Sequence, residues 1–504
     1  MPIATSDQPV LQHLPSASQQ LAASKVDVVA KTRHGDIHGG RLTNGVQAFL
    51  NVPYGADVPR WSDPMPLSDG YRYAPEPYTR GGGYCAQNRE QREDGGPLGE
   101  ATENPFFLDI YVPSTCNLKQ PSASLQVNVY IHGGALQQGN TFQNGHDQQW
   151  MTAERFQEIR INVTYRLSVL GFLGCDQPDI LGNFGFKDCW LALEWIRDNI
   201  QSFGGDPNQV HLSGLSAGAH TVHQLLHRTA RLSPEPALFI TATLHSNALI
   251  TTPPLRSSKR HQVEVLCQQL GLNPKMADIL DALRQVPLDH LLAAVSGMGS
   301  LSTFRGVCEV DGFVAHDQMD YQQSGRLATG LRQAGVKCVV VGDVKDEIAF
   351  YRTQHPIEKP SEVRPNLLRY YPAVTCDALL TAFPPPGEAA ATIDELNDHQ
   401  GLWDVPVLRY AVELPLRSSK RYPSVDHGSD LAIHHLMPGL LNAAEKKAAL
   451  CFVDELRQAV QEVLNGSDSW RTRQWLVLDA NGETFWAGDR RGEACQKALA
   501  TLRN

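Results

Sequence analysis

Across 504 residues the chain sets 44 Lys and Arg against 54 Asp and Glu, a formal net charge of −10, and 42% of its residues are apolar. That balance, with no long basic tract, argues against nucleic acid or an anionic membrane surface as a partner. The apolar content suffices for a large buried core, and length alone would suggest about three domains.

The first residues, 1–24, are rich in Ser, Gln and Pro, with neither a basic start nor an apolar run of signal-peptide length. Residues 1–25 are therefore expected to be a disordered lead-in. Further on, Leu125-Gln126-Val127-Asn128-Val129 alternates apolar and polar side chains, the period of a strand. It runs into Tyr130-Ile131-His132-Gly133-Gly134-Ala135. Glycines just beyond a strand end leave amide N–H groups sterically accessible, so Gly133 and Gly134 are candidate donors to a developing oxyanion. An ordinary Gly-Gly turn has the same composition. What favours the donor reading is the motif downstream.

That motif is Gly214-Leu215-Ser216-Ala217-Gly218, a G-x-S-x-G pattern preceded by the strand-like Val210-His211-Leu212-Ser213 and followed by a helical stretch over residues 219–227. The pattern is that of a nucleophile elbow, in which a strained strand-to-helix turn lifts a serine hydroxyl into a cleft. Small residues at Gly214 and Gly218 let the backbone pass close to its neighbours. Ser216 is the candidate nucleophile, and the N–H of Ala217 joins Gly133 and Gly134 as a third oxyanion donor. The same helical stretch places His220, His223 and His227 on one face, a spacing compatible with a metal site. A helix leaving an elbow is buried, so hydrogen-bonded core histidines are the expectation, and no metal is expected.

On a fold built around such an elbow the acid and the histidine follow the serine in that order. Val339-Val340-Val341-Gly342 reads as a buried strand, and Asp343, Asp346 and Glu347 crowd its end. Spacing alone does not choose among these carboxylates. Residues 384–387 (Pro-Pro-Pro-Gly) read as a break between helices, and residues 405–414 as the last strand or, if that strand is lost, as a helix; the strand is favoured because His427 then follows it after a short loop. His427 sits in Asp426-His427-Gly428-Ser429-Asp430-Leu431, a turn-like stretch before a helix, where it would serve as general base. Trp470, Trp475 and Trp486 alternate with polar residues and suggest a terminal edge segment.

From about residue 28 onward the chain resembles the type-B carboxylesterase/cholinesterase family of α/β-hydrolases. The densest likeness is Asn183-Phe184-Gly185-Phe186-Lys187-Asp188, then Ala192-Leu193-Glu194-Trp195-Ile196, then Phe203-Gly204-Gly205-Asp206-Pro207, continuing through the elbow. Tyr165-Arg166-Leu167, Gly171-Phe172-Leu173, residues 49–54 and Asp311-Gly312 match further family segments. The resemblance implies an α/β-hydrolase fold, a central mostly parallel sheet of about eight strands with helices on both faces and lid insertions, as one domain over residues 26–504. It also implies that Glu347 is the acid, because Asp346-Glu347-Ile348-Ala349-Phe350 is similar to the family's D-E-G-x-x-F segment, with Ile348 in place of the glycine. His427-Gly428-Ser429-Asp430-Leu431 is similar to its H-G-x-D-L segment. Ser246 occupies the place of a serine that supports the triad through hydrogen bonds, although the following glycine is here Asn247. Asp188, Arg166 and Asp206 are expected to brace loops.

The departures bear on substrate and compartment. The elbow carries Leu215 where cholinesterases have glutamate, and residues 86–101 lack the tryptophan that receives choline. A quaternary ammonium substrate is therefore not expected. The partner that the family would supply for Cys85 is absent, since its segment reads Glu103-Asn104-Pro105-Phe106-Phe107-Leu108, and Cys308 lies too far along to close the loop from Cys267. Unpaired cysteines together with the N-terminal composition lead to a cytoplasmic expectation. The sequon at Asn162 falls in an apparent core strand.

The resulting expectation is a serine carboxylesterase that cleaves a neutral small-molecule ester through an acyl-enzyme on Ser216, with no cofactor. Two alternatives are a tailoring hydrolase (deacylase, lactonase or thioesterase) specific for one metabolite and a non-catalytic binding protein on the same fold. The presence of all three triad residue types argues against the latter. Oligomeric state is not legible.

Overall fold

The computed structural model describes residues 16–22, 26–87, 100–142, 146–155, 157–246, 253–309, 312–347, 364, 405–417, 419, 424–437, 439–466 and 474–488. Ile348, Asn247, Asp311, Trp470 and residues 384–387, each named above, lie outside them, as does most of the stretch 86–101.

Among the described residues the main sheet has twelve strands, more than the roughly eight expected. In chain order they are β1 (Val26–Thr32), β2 (Gly35–Arg41), β3 (Gln47–Pro53), β4 (Phe107–Val112), β5 (Leu125–Ile131), β6 (Glu158–Val163), β7 (Gly205–Leu215), β8 (Thr241–His245), β9 (Cys338–Val344), β10 (Val407–Val412), β11 (Gln474–Leu478) and β12 (Thr484–Gly488). Their spatial order is β1-β2-β3-β4-β6-β5-β7-β8-β9-β10-β11-β12. The block from β6 to β11 is parallel throughout. The extra strands come from antiparallel pairing at both ends. β1 to β4 form an antiparallel run that joins β6, and β12 folds back on β11. Trp475 and Trp486 lie on that last hairpin, as their alternation suggests, and Trp486 Nε1 donates to Glu455 at 2.7 Å.

Period-2 alternation divides the sheet's central strands between two cores. In β9 every residue is buried. Val339 and Val341 join one core with Val222 and Leu225, whereas Cys338, Val340 and Val344 join the other with Ala449 and Phe452. The first core therefore takes the helix Ala217–Leu232 and the second takes Ala443–Leu464, one on each face of the sheet. The long helix Ala443–Leu464 starts with a reciprocal capping box, Asn442 with Glu445.

The N-terminal segment departs from the disordered expectation at one point. Residues Ala17–Ala22 form a short helix whose Ala17 and Leu21, four apart, pack on Ala48, Leu50 and Tyr111. Gln20 pins it through Gln149 Oε1 at 3.0 Å and the N–H of Thr43 at 3.1 Å.

Within the first core, Arg166 and Asp188 pair in full burial. The guanidinium Nη2 lies 2.6 Å from Asp188 Oδ1, and the Arg166 N–H donates to Oδ2 at 3.0 Å. Burial pushes the Asp188 carboxyl up from its ordinary range while Arg166 opposes the shift. The pair ties the loop after β6 to the helix Phe184–Asn199. Asp206 braces its own turn, accepting from the N–H of Asn208 at 2.8 Å.

Candidate active site

β7 ends at Leu215, the helix Ala217–Leu232 begins at Ala217, and Ser216 alone makes the turn with φ +57° and ψ −121°. A non-glycine residue in that region is strained and persists only when its surroundings hold it there. The surroundings here are tight. A Cβ on Gly214 would lie 2.5 Å from the Gly218 carbonyl, and one on Gly218 would overlap the Ile131 carbonyl oxygen at the end of β5. The Ser216 N–H donates to the His245 carbonyl at 2.9 Å, so the end of β8 fastens the turn.

Two of the candidate oxyanion donors, Gly133 and Ala217, adjoin this turn. A Cβ on Gly133 would stand 3.1 Å from Ser216 Cβ and 2.7 Å from the Leu215 carbonyl oxygen, which puts the Gly133 backbone in direct contact with the elbow. Gly134, at φ +115°, closes the next turn by accepting from the N–H groups of Gln137 (2.9 Å) and Gln138 (3.1 Å). Ala217 is the first residue of a sixteen-residue helix, where the N–H groups lack intrahelical acceptors and the dipole favours negative charge.

Two side chains not singled out in the sequence hold the glycine turn. Gln87 accepts from the Gly139 N–H at 2.9 Å and donates to the Gly139 carbonyl at 3.0 Å. His132 places Nδ1 2.8 Å from the Gly133 carbonyl oxygen and stacks on Tyr165, whose hydroxyl donates to the His132 carbonyl at 2.8 Å. Burial, reinforced by His146, pushes His132 down to about 3, so the ring is neutral. A lone glutamine and a histidine next to two glycines carry no sequence signal for such roles.

Of the three carboxylates after β9, one meets the histidine. Glu347 Oε2 lies 2.6 Å from His427 Nδ1, and Glu347 Oε1 accepts from the Val344 N–H at 3.1 Å. Both side chains are largely buried. The two loops are also joined through backbone, with the Asp346 N–H donating to the Val425 carbonyl at 2.9 Å and a parallel bridge between Asp346 and Asp426. The strand expected over residues 405–414 exists as β10, though it is not the last, since β11 and β12 follow it in the same sheet; His427 comes after it and before the helical turn Leu431–His434.

The histidine loop lies against the elbow. A Cβ on Gly428 would stand 3.3 Å from Leu215 Cδ2, and Leu215 packs with Tyr130 and Leu431. The ends of β5 and β7 and the loop after β10 thus bring Gly133, Ser216, Ala217 and the His427 turn against one another, with Glu347 after β9 bonded to His427. Ser246 is near in the chain but differently engaged. Its N–H donates to the Gly342 carbonyl at 2.7 Å, and its buried Oγ meets no hydrogen-bond partner among the described residues. The hydrogen bonding to the triad that the resemblance implied for it is therefore not found there.

The remaining sequence candidates take structural places. His223 and His227 both turn Nε2 to Gln322 Oε1, at 2.9 and 3.2 Å, and His220 packs its ring on Phe186. The eight described cysteines are all free thiols, Cys85, Cys267 and Cys308 among them. Asn162 of the β6 sequon is buried and donates to the His146 carbonyl at 2.7 Å. No described helix is long and apolar enough to cross a membrane. A cavity of about 550 Å³ opens beside Arg60, Glu103, Asn104 and Arg284, and no candidate catalytic residue lines it.

With this geometry in view, likenesses to known proteins are specific. Residues 26–364 match the model of the carboxylesterase family. The chain is 32% identical over 365 residues to a carboxylic ester hydrolase of Gibberella moniliformis, covering 68% of this chain and 66% of that protein, just short of two-thirds of its length. It is 31% identical over 336 residues to a probable N-octanoylanthranilate hydrolase, AqdA2, of Rhodococcus erythropolis, covering 63% and 67%. Among solved structures, a PNB esterase superposes with a TM-score of 0.71 at 21% identity, over 93% of this chain and 99% of that one, a likeness of fold. The α/β-hydrolase architecture follows from these together.

Proposed function

This chain belongs to the carboxylesterase family, and on that footing we propose that it hydrolyses a neutral carboxylic ester through an acyl-enzyme on Ser216. The observation that carries the reading is the 2.6 Å contact between His427 Nδ1 and Glu347 Oε2, made by a histidine loop that packs on the elbow. With Nδ1 bonded to the carboxylate, Nε2 is the nitrogen left to accept a proton.

In this mechanism His427 Nε2 takes the Ser216 proton as Oγ attacks the ester carbonyl. The carbonyl π pair moves to oxygen, and the oxyanion receives the N–H groups of Gly133, Gly134 and Ala217. Collapse breaks the bond to the alkoxide, which leaves with the proton from His427. Water then repeats the sequence on the acyl-Ser216 ester and releases the acid. Glu347 holds the imidazole tautomer and stabilises the imidazolium without being protonated. No cofactor enters.

The likeness to the probable N-octanoylanthranilate hydrolase favours including an acylated aromatic amine among the substrates tested. The free thiols support a reducing, cytoplasmic setting. The direct test is covalent labelling with a fluorophosphonate. One label per chain on the peptide carrying Ser216, lost in Ser216→Ala, supports the reading, whereas labelling elsewhere or none on folded protein contradicts it.

A further inference from the structure

Behind the candidate triad the ends of β8 and β10 bring together a second group of titratable side chains. His245 is the last residue of β8, Tyr410 lies on β10, and Asp430 follows His427 in the same turn. His245 Nδ1 is 2.5 Å from the Tyr410 hydroxyl oxygen, and that hydroxyl donates to Asp430 Oδ2 at 2.9 Å. The three form one continuous chain, in which the His245 Nδ1–H donates to the tyrosine oxygen and the tyrosine O–H to the carboxylate. Tyr410 and Asp430 are fully buried.

Each end of this chain is attached to the machinery of the proposed reaction. At one end the His245 carbonyl accepts the Ser216 N–H at 2.9 Å. At the other, Asp430 belongs to the turn that presents His427, closed by the Ser429 N–H to Asp426 carbonyl bond at 2.9 Å. We infer that His245, Tyr410 and Asp430 are positioning residues that couple the nucleophile elbow to the histidine loop and set the separation of Ser216 and His427; the inference rests on the triad reading above.

Three physical points support it. A phenylalanine would fill the site of Tyr410 against Phe452 and Gly342 without carrying a hydroxyl into a fully buried place, where an unsatisfied polar group is costly. Hydrogen bonds in a dry interior fix one arrangement of their partners, and a misplacement of about 1 Å at a reacting centre costs on the order of 10²-fold in rate. The Asp430 carboxyl is also pushed up to about 7, by burial first and then by Glu347, while Tyr410 and His427 favour its charged form. It therefore gains charge near neutrality, facing Glu347, His427, His245, His434 and Tyr410.

His245, Asp430 and His434 also place one ligand atom each within 4.8 Å of one another, an arrangement that a cation could occupy. The Tyr410 hydroxyl already bonds two of the three, which favours the hydrogen-bonded chain.

The test compares kcat, KM and the pH profile of kcat/KM for p-nitrophenyl acetate in the full chain, Tyr410→Phe, Asp430→Asn and Ser216→Ala, with near-UV circular dichroism and metal analysis of each preparation. The expected result is a folded Tyr410→Phe with kcat lowered about tenfold to 100-fold and KM within about twofold. The profile of Asp430→Asn should differ from that of the wild type by loss of one ionisation near neutrality. Tyr410→Phe with wild-type kcat and an unshifted profile, beside an inert Ser216→Ala, would overturn this inference alone. A fully active Ser216→Ala would overturn the triad reading and this inference with it. Stoichiometric zinc whose removal abolishes activity would replace the hydrogen-bonded chain by a metal site. Should Tyr410→Phe not fold, the same comparison is read on Asp430→Asn: a folded variant with kcat lowered at least about tenfold supports the proposal, and one with wild-type kcat overturns it.

Discussion

His427 Nδ1 and Glu347 Oε2 lie 2.6 Å apart across 80 positions of sequence, and the Asp346–Asp426 bridge beside them fastens their two loops. In the proposed mechanism the contact leaves Nε2 as the nitrogen that would take the Ser216 proton. Glu347→Gln should keep the geometry and present its amide where the carboxylate stood, favouring the wrong tautomer. The expected loss is about 10⁴-fold in kcat with KM changed only a few-fold. Steady-state kinetics on the folded variant check this, and a loss under about tenfold would remove Glu347 from the triad.

Gly133 touches both Leu215 and Ser216, so any side chain there intrudes on the space where the oxyanion would form. Gly133→Ala keeps the N–H but displaces it, and should lower kcat by up to about 10²–10³-fold, the usual cost of one lost donor. It should also weaken binding of a boronic acid analogue in parallel, because the analogue mimics the tetrahedral centre. Loss of rate without loss of analogue affinity would argue for a positional effect elsewhere.

The elbow glycines should show themselves in stability. Gly218→Ala drives a Cβ into the Ile131 carbonyl oxygen and should cost about 3 kcal/mol, the upper end for overpacking. Gly70→Ala, at a site with open space around the added carbon, should change stability by less than about 0.5 kcal/mol. Chemical denaturation of both variants measures the contrast directly.

Acid sensitivity has a specific source. Burial lowers His211 to about 4, and its Nδ1 lies 2.6 Å from Thr241 Oγ1. The unfolded chain binds that proton near 6.5 and the folded chain does not, so the contribution is fully present above about 6.5 and is lost as pH falls toward 4. His132 and His245, both lowered to about 3, act in the same direction. Asp109, raised to about 6 by burial, opposes them, because its folded form holds a proton that the unfolded form has released. His211→Asn should reduce the slope of unfolding free energy against pH by about 1.4 kcal/mol per unit between about 4.5 and 6. An unchanged slope would show that His211 titrates normally in the fold.

What was legible in the sequence was local. The alternation in residues 125–129, the G-x-S-x-G turn and the all-apolar run 339–341 each announce a structure that their own residues determine, and β5, the elbow and β9 stand where those signals lie. The choice of Glu347 over Asp343 and Asp346 came from resemblance, because three carboxylates at one strand end are indistinguishable by spacing. The twelve-strand extent of the sheet was missed because antiparallel edge strands such as β1 and β2 are paired through contacts that short runs do not advertise. The helix Ala17–Ala22 was missed for the same reason, since its stability comes from Ala48, Leu50 and Tyr111 and not from its own composition. Of the His245–Tyr410–Asp430 chain only Asp430 falls in a matched segment, and nothing in that segment announces its meeting with the other two.

The central claim is best tested by hydrolysis of p-nitrophenyl esters, acetate to octanoate, with an octanoyl anilide alongside, by the purified chain and by Ser216→Ala. The account predicts turnover by the wild type and a loss of about 10⁶-fold in kcat in the variant, with a chain-length optimum that sizes the acyl pocket. Equal activity of the two proteins would contradict Ser216 as the nucleophile.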